Sequence, residues 1–352
     1  MLTDILCLWS AATADKPVFT KFAKLSSAIL LAALAAGCVS SALDVDTKGI
    51  QPISAKLVAE MKRKGMTPAS PVLVRIFKEE SELEIWKRDG NGKYALLKTY
   101  PMCRWSGQLG PKKRIGDRQA PEGFYHVSAD RLNPNSQYYL SFNLGYPNKL
   151  ESALGYSGEA LMVHGACSSS GCYALTDEGV AEIYAVAREA LKGGQTSFQV
   201  QAFPFRMTAQ KMARNRNNPN YGFWTDLKKG YDSFEVTRRQ PKVAYCDKRY
   251  VFDTEFSGGD PLDPLAACPP AISSGDPLVA ARTERDLSTA ETMASTMTGA
   301  AVHAYSDGGM HPTFRKLLAA SGDKALSKRT SLTKVPISRP DAALADPYSA
   351  SE

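Results

Sequence analysis

The chain has 352 residues, a formal net charge of +7, and 43% hydrophobic and 22% charged residues. That is enough apolar material for a buried core, and enough length for one sizeable domain with extensions or two modest ones. The mild basicity suits an anionic polymer or a membrane surface; dense Lys/Arg clusters are absent, so no nucleic-acid partner is expected.

At the start of the chain, Lys16, Lys21 and Lys24 precede a short apolar run from Ala28 to Ala36, closed by Gly37 and Cys38. A basic stretch, a short apolar stretch and small residues in that order predict an export signal, too short to stay in a bilayer as a spanning helix. Gly37-Cys38 resembles a lipobox, in which Cys38 would be acylated and become the mature N-terminus. Cleavage after Ala33-Leu34-Ala35 would instead release an unlipidated protein. Residues 1–38 are therefore expected to be a leader and 39–71 a linker with a short helical pattern from Ala55 to Lys64.

From Pro71 the apolar period becomes two. Val72 to Phe77 and Leu83 to Trp86 predict strands, and Asp89-Gly90-Asn91-Gly92 predicts a hairpin turn into a partner strand, Tyr94 to Tyr100. Glycines and charges fill 107–118; strands return at 121–127, 138–142 and 162–164. Thr176-Asp177-Glu178 predicts a helix start, and Val180, Ile183, Tyr184, Ala187 and Leu191 give that helix one apolar stripe before Gly193-Gly194 ends it. A strand from Phe198 to Phe205, an amphipathic helix over 219–240 and a strand pair from Val243 to Phe252 follow. Residues 258–352, rich in Ala, Ser, Thr, Pro and Asp, are expected to be a mostly disordered tail. The expected fold is mainly β with a few helices (α+β), its domain spanning 72–257.

Seven cysteines occur, at 7, 38, 103, 167, 172, 246 and 268. Removing the two in the leader leaves an odd number, so an oxidising compartment would leave at least one thiol free. The segment from Met162 to Asp177 holds His164, Gly165, Cys167, Ser169, Ser170, Gly171 and Cys172. Cys172 lies four residues before the helix cap, where a helix dipole and a nearby imidazole would favour its thiolate, with a pKa lowered into roughly the 3.5–7.5 range. Gly165 and Gly171 would let backbone amides approach a reacting oxygen. The other histidines are His126, on a predicted strand, and His303 and His311 in the tail, which leaves His164 as the imidazole for Cys172. Three other readings stay open at this point: a Cys167–Cys172 disulfide, a metal held by His164, Cys167 and Cys172, and Cys167 as the nucleophile.

His164-Gly165 followed by Ser169-Ser170-Gly171-Cys172 resembles the signature of the L,D-transpeptidase (YkuD-type) catalytic domain, and the spacing is nearest its YafK-like branch. Cys103 to Gly107, Leu109 to Lys112, Pro121 to Tyr125, Leu140 to Asn143, Gly145 to Asn148 and Phe203 to Met207 extend the resemblance over about 72–255. It implies a β-sandwich or barrel with a helix after the cysteine, Cys172 as nucleophile, His164 as base, the Gly165 carbonyl as its orienter, and oxyanion amides on Gly171 and Cys172. It also implies peptidoglycan stem peptides containing diaminopimelate as substrate, a periplasmic or cell-envelope location, and no metal or cofactor. A wall-linked lipoprotein is a further expected partner, and a lipid anchor at Cys38 would place the protein on the outer membrane. Two residues depart from the pattern: Ser170 stands where a histidine is usual, and Ala174 where an arginine is. Arg206, Arg104 or Lys112 is expected to replace that carboxylate clamp. The alternatives to transpeptidation are a hydrolytic relative, amidase or L,D-carboxypeptidase, and a non-catalytic wall-binding lipoprotein. Pairing Cys103 with Cys167 would leave Cys172 free; Cys246 and Cys268 are expected to be a structural disulfide or unpaired thiols.

Overall fold

The computed structural model describes residues 47–296 and 309–330. The predicted leader and Cys38 lie outside the described residues. In chain order the elements are α1 (Ala55–Arg63), β1 (Val72–Phe77), β2 (Glu82–Arg88), β3 (Tyr94–Pro101), β4 (Arg104–Trp105), β5 (Gly123–Ser128), β6 (Leu132–Asn133) and β7 (Ser141–Asn143). Then come α2 (Lys149–Ala153), β8 (Met162–His164), β9 (Tyr173–Ala174), α3 (Asp177–Lys192), β10 (Ser197–Phe203), α4 (Ala209–Arg214) and α5 (Tyr221–Thr237). The hairpins β11 (Val243–Cys246) with β12 (Arg249–Phe252) and β13 (Thr254–Phe256) with β14 (Ala271–Ser274) precede α6 (Pro277–Thr296) and α7 (Pro312–Thr330).

Two five-stranded sheets organise these elements, in the orders β3-β2-β1-β10-β5 and β4-β9-β8-β7-β6. Each contains one parallel pair, β1 with β10 and β8 with β9, and each such crossover runs through intervening helix or loop. The first sheet is covered on both faces, which is why every residue of β1 is buried. One face shares a core with α3, through Val180, Ile183 and Ala187. Phe77, Phe124 and Phe203 on the other pack against Trp224, Leu227 and Tyr231 of α5. The second sheet closes the first core from the far side of α3, with Phe142, Val163 and Tyr173 all fully buried in it. The architecture is the expected α+β arrangement.

Two expected boundaries move. Residues 48–71 belong to the folded unit: α1, capped by Ser54, buries Leu57 and Met61 in the same core. The reading of 258–352 as a mostly disordered tail fails for 258–296 and 309–330. There, α6 is docked on α5 by buried polar contacts, with Thr283 Oγ1 2.8 Å from Asp232 Oδ2 and Lys228 Nζ 3.1 Å from Asp286 Oδ2, and by Ala290, which is fully buried in the apolar core that Trp224 and Leu227 share. Met310, Phe314 and Leu326 cover Cys103 and Cys167.

Candidate active site

Alternation along the second sheet sorts its side chains into two ranks. Phe142, Val163, Tyr173 and Trp105 are in register across four strands and face the core. The next rank, Ser141, His164, Ala174 and Arg104, points the other way. Cys172 precedes Tyr173 by one residue, and so returns to the side of the sheet that carries His164. His164 and Cys172 both line one open cleft of about 540 Å³, together with Tyr138, Glu159, Ser168 and Ser170.

The loop joining them is held at every turn. A Cβ at Gly165 would lie 2.5 Å from Asp177 Oδ1 and 3.0 Å from the Tyr138 carbonyl oxygen, so no larger residue fits after His164. The Asp177 carboxylate accepts from the Ala166 amide at 2.6 Å, fixing a turn in which Ala166 and Cys167 both have positive φ, 65° and 47°. Cys167 is disulfide-bonded to Cys103, and Cys246 to Cys268. This pairing removes the Cys167–Cys172 disulfide, the metal site and the Cys167 nucleophile at once, because all three need the Cys167 sulfur. Cys172 is the free cysteine among the described residues. Further along, Ser106 Oγ lies 2.7 Å from Ser169 Oγ, tying the loop to the segment after β4.

His164 Nδ1 is 2.6 Å from the Gly165 carbonyl oxygen. A carbonyl only accepts, so Nδ1 carries the proton of the neutral ring and Nε2 is left as the basic nitrogen. The Tyr138 ring lies against the imidazole at 4.7 Å between centroids. Burial holds the His164 pKa down at about 4, against a smaller upward pull from the Gly165 carbonyl. Burial likewise pushes the Cys172 thiol up, and the Met162 amide and the Lys112 charge oppose it. The resting pair is thus neutral thiol and neutral imidazole. The expected thiolate favoured by a helix start is not what the fold provides. Strand β9 separates Cys172 from α3, and the α3 N-terminus is already occupied by Thr176, which accepts from Gly179, and by the Asp177 carboxylate.

The remaining expected site residues are dispersed. Ser169 and Ser170 line the cleft, Ser170 exposed at its mouth. The amides of Gly171 and Cys172 converge on Ser169 Oγ at 3.3 and 3.1 Å instead of opening into the cleft, since a serine hydroxyl readily caps the amides two and three residues ahead. Arg206 is committed elsewhere, stacked 4.2 Å from the Phe77 ring and paired with Glu84 at 2.8 Å. Lys112 is buried; its Nζ donates to the Arg114 carbonyl at 2.7 Å and pairs with Asp117. Arg104 is buried opposite Ala174. None of the three lines the cleft, so the expected carboxylate clamp is not built there from these residues. Sequence reading missed Asp177 as a loop anchor, Tyr138 as the ring's neighbour and Ser106; only Asp177 left a signal, its place beside a helix cap.

The L,D-transpeptidase catalytic domain model (YkuD) matches residues 71–312. The chain is 44% identical over 231 residues to the Escherichia coli (strain K12) protein named "Putative L,D-transpeptidase YafK", covering 65% of this chain and 91% of that protein. Among solved structures it is similar to the helical cell shape determining protein Pgp2 from Campylobacter jejuni, at 17% identity over 67% of this chain and 77% of that one, TM-score 0.33. It is also similar to Bdellovibrio bacteriovorus Bd1075, at 16% identity over 52% and 84%, TM-score 0.29. With the family model covering more than half of it, this chain belongs to the L,D-transpeptidase (YkuD) catalytic-domain family.

Proposed function

We propose that this protein is an exported cysteine L,D-transpeptidase that transfers acyl groups of diaminopimelate-containing peptidoglycan stem peptides. The observation that carries the reading is the free Cys172 in one cleft with His164, whose Nε2 is left basic by the Gly165 carbonyl. In this mechanism Nε2 takes the thiol proton as the thiolate attacks the carbonyl of the L-centre at the third residue. The C–N bond to the fourth residue then breaks, and the departing amine takes the proton from the imidazolium, leaving a thioester on Cys172. An acceptor amine attacks the thioester, gives its proton to His164, and the C–S bond breaks to restore the thiol. For the Gly171 and Cys172 amides to receive the oxyanion, Ser169 must first release them. The leader is part of the same proposal: export to the periplasm, with Cys38 acylated, is checked by the mass of the mature N-terminal peptide.

The test has two arms on separate samples of the purified protein: mass labelling of Cys172 by iodoacetamide or a carbapenem, and incubation of unlabelled protein with tetrapeptide muropeptides and with protein-linked stems. Crosslinked dimers lacking a fourth residue are expected. Free tripeptide or released protein instead would make it the hydrolytic relative. An unlabelled Cys172 and no product would leave a wall-binding protein.

A further inference from the structure

The hydroxyl of Ser169 is over-committed. It donates its own proton to the Cys172 carbonyl at 2.8 Å. Three groups donate to it in turn: the Ser106 hydroxyl at 2.7 Å, the Cys172 amide at 3.1 Å and the Gly171 amide at 3.3 Å. A hydroxyl oxygen offers two lone pairs, so the three donors compete for them. The distances show which one wins. The Ser106 bond has the ordinary length for two hydroxyls, while both amides lie beyond the usual N–H···O distance of about 2.9–3.0 Å. Ser106 is fixed where it stands: it is fully buried, and its carbonyl accepts from the Ala120 amide at 3.0 Å. It follows Trp105, which is opposite Tyr173 in the antiparallel β4–β9 pair. One step further along that register brings Ser106 level with Cys172.

We propose that Ser106 is a positioning residue for the oxyanion site: by filling one lone pair of Ser169, it keeps the grip of that hydroxyl on the Gly171 and Cys172 amides weak, so that they can pass to the oxygen of an attacked carbonyl. Accepting from Ser106 strengthens the bond Ser169 donates to the Cys172 carbonyl, which holds the loop while the amides stay loose. In the resting site the amides are poorly satisfied; an oxyanion, a stronger acceptor than a neutral hydroxyl, then takes them. An interaction that improves only as the oxyanion forms accelerates acylation. The inference rests on the acyl-transfer reading above, but it concerns carbonyl attack by Cys172 whatever the substrate.

The test compares two reactions of Cys172 in wild type, Ser106→Ala, Ser169→Ala and the double variant. Acylation by a carbapenem attacks a carbonyl and builds an oxyanion; alkylation by iodoacetamide displaces iodide at a saturated carbon and builds none. Ser106→Ala is expected to slow acylation about fivefold, the factor one ordinary hydrogen bond carries, at an unchanged alkylation rate. Ser169→Ala frees both amides and is expected to raise the ratio of acylation to alkylation. With Ser169 gone, Ser106→Ala changes that ratio no further. A merely structural role would move both reactions together. Equal slowing of the two, acylation of Ser106→Ala at the wild-type rate, a lowered ratio in Ser169→Ala, or a Ser106→Ala effect that persists without Ser169 each overturns the proposal. A wild type that shows this pattern but turns over no muropeptide removes the substrate reading and leaves Ser106 its role; one that is alkylated but never acylated removes both.

Discussion

Replacing Asp232 by asparagine probes the docking of α6 most directly. Asp232 and Lys228 are both fully buried on α5, 2.9 Å apart. From α6, Arg282 Nε reaches Asp232 at 3.1 Å, Thr283 Oγ1 at 2.8 Å, and Asp286 pairs with Lys228 at 3.1 Å. An asparagine keeps the shape but leaves Lys228 buried with Asp286 as its remaining anion. Breaking a buried pair from one side costs about 3–5 kcal/mol, and the surviving Asp286 contact argues for the lower end, about 3 kcal/mol. For a unit of this size that is a fall of roughly 6–12 °C in thermal midpoint. Urea unfolding measures the loss, and limited proteolysis reports new cleavage within 277–296. Replacing both partners, Lys228→Met with Asp232→Leu, should return stability to within about 1 kcal/mol of wild type, because no uncompensated charge stays buried. An Asp232→Asn variant with the wild-type midpoint, or a double variant weaker than the single, would refute the idea that α6 is an integral part of the fold.

Two further outcomes follow from the same structure. The Cys103–Cys167 bridge closes a separation of 64 residues, so Cys103→Ser with Cys167→Ser is expected to cost about 4 kcal/mol in urea unfolding; an unchanged midpoint would show that the bridge adds nothing. His164 is neutral in the fold with a pKa of about 4, below the ordinary imidazole value of about 6.5. Its unfolded form therefore binds a proton first, and the stability it contributes at neutral pH is lost as pH falls through that interval. Relative to His164→Gln, the wild type should lose about 2 kcal/mol between neutral pH and pH of about 4.5. Parallel losses in the two proteins would contradict the burial of a neutral ring.

The sequence by itself determined the local elements and the two side chains proposed to react. Alternation fixed β1, β2 and β3; the Asp89 to Gly92 turn closed their hairpin; Thr176 opened α3. An odd cysteine count, one well-placed histidine and glycines around the loop singled out Cys172 and His164, because these signals depend on residue type and short spacing alone. Tertiary structure decided what depends on who stands opposite whom. It paired Cys103 with Cys167, gave Arg206 to Glu82 and Glu84, folded Lys112 onto Asp117, and set Ser141 against His164. It also brought 277–296 onto α5 through buried charges beside the apolar contacts of Ala290. Hydrophobic period records only which face of one element is buried. Charge pairing and strand register join residues far apart in the chain, and no local pattern encodes their partners.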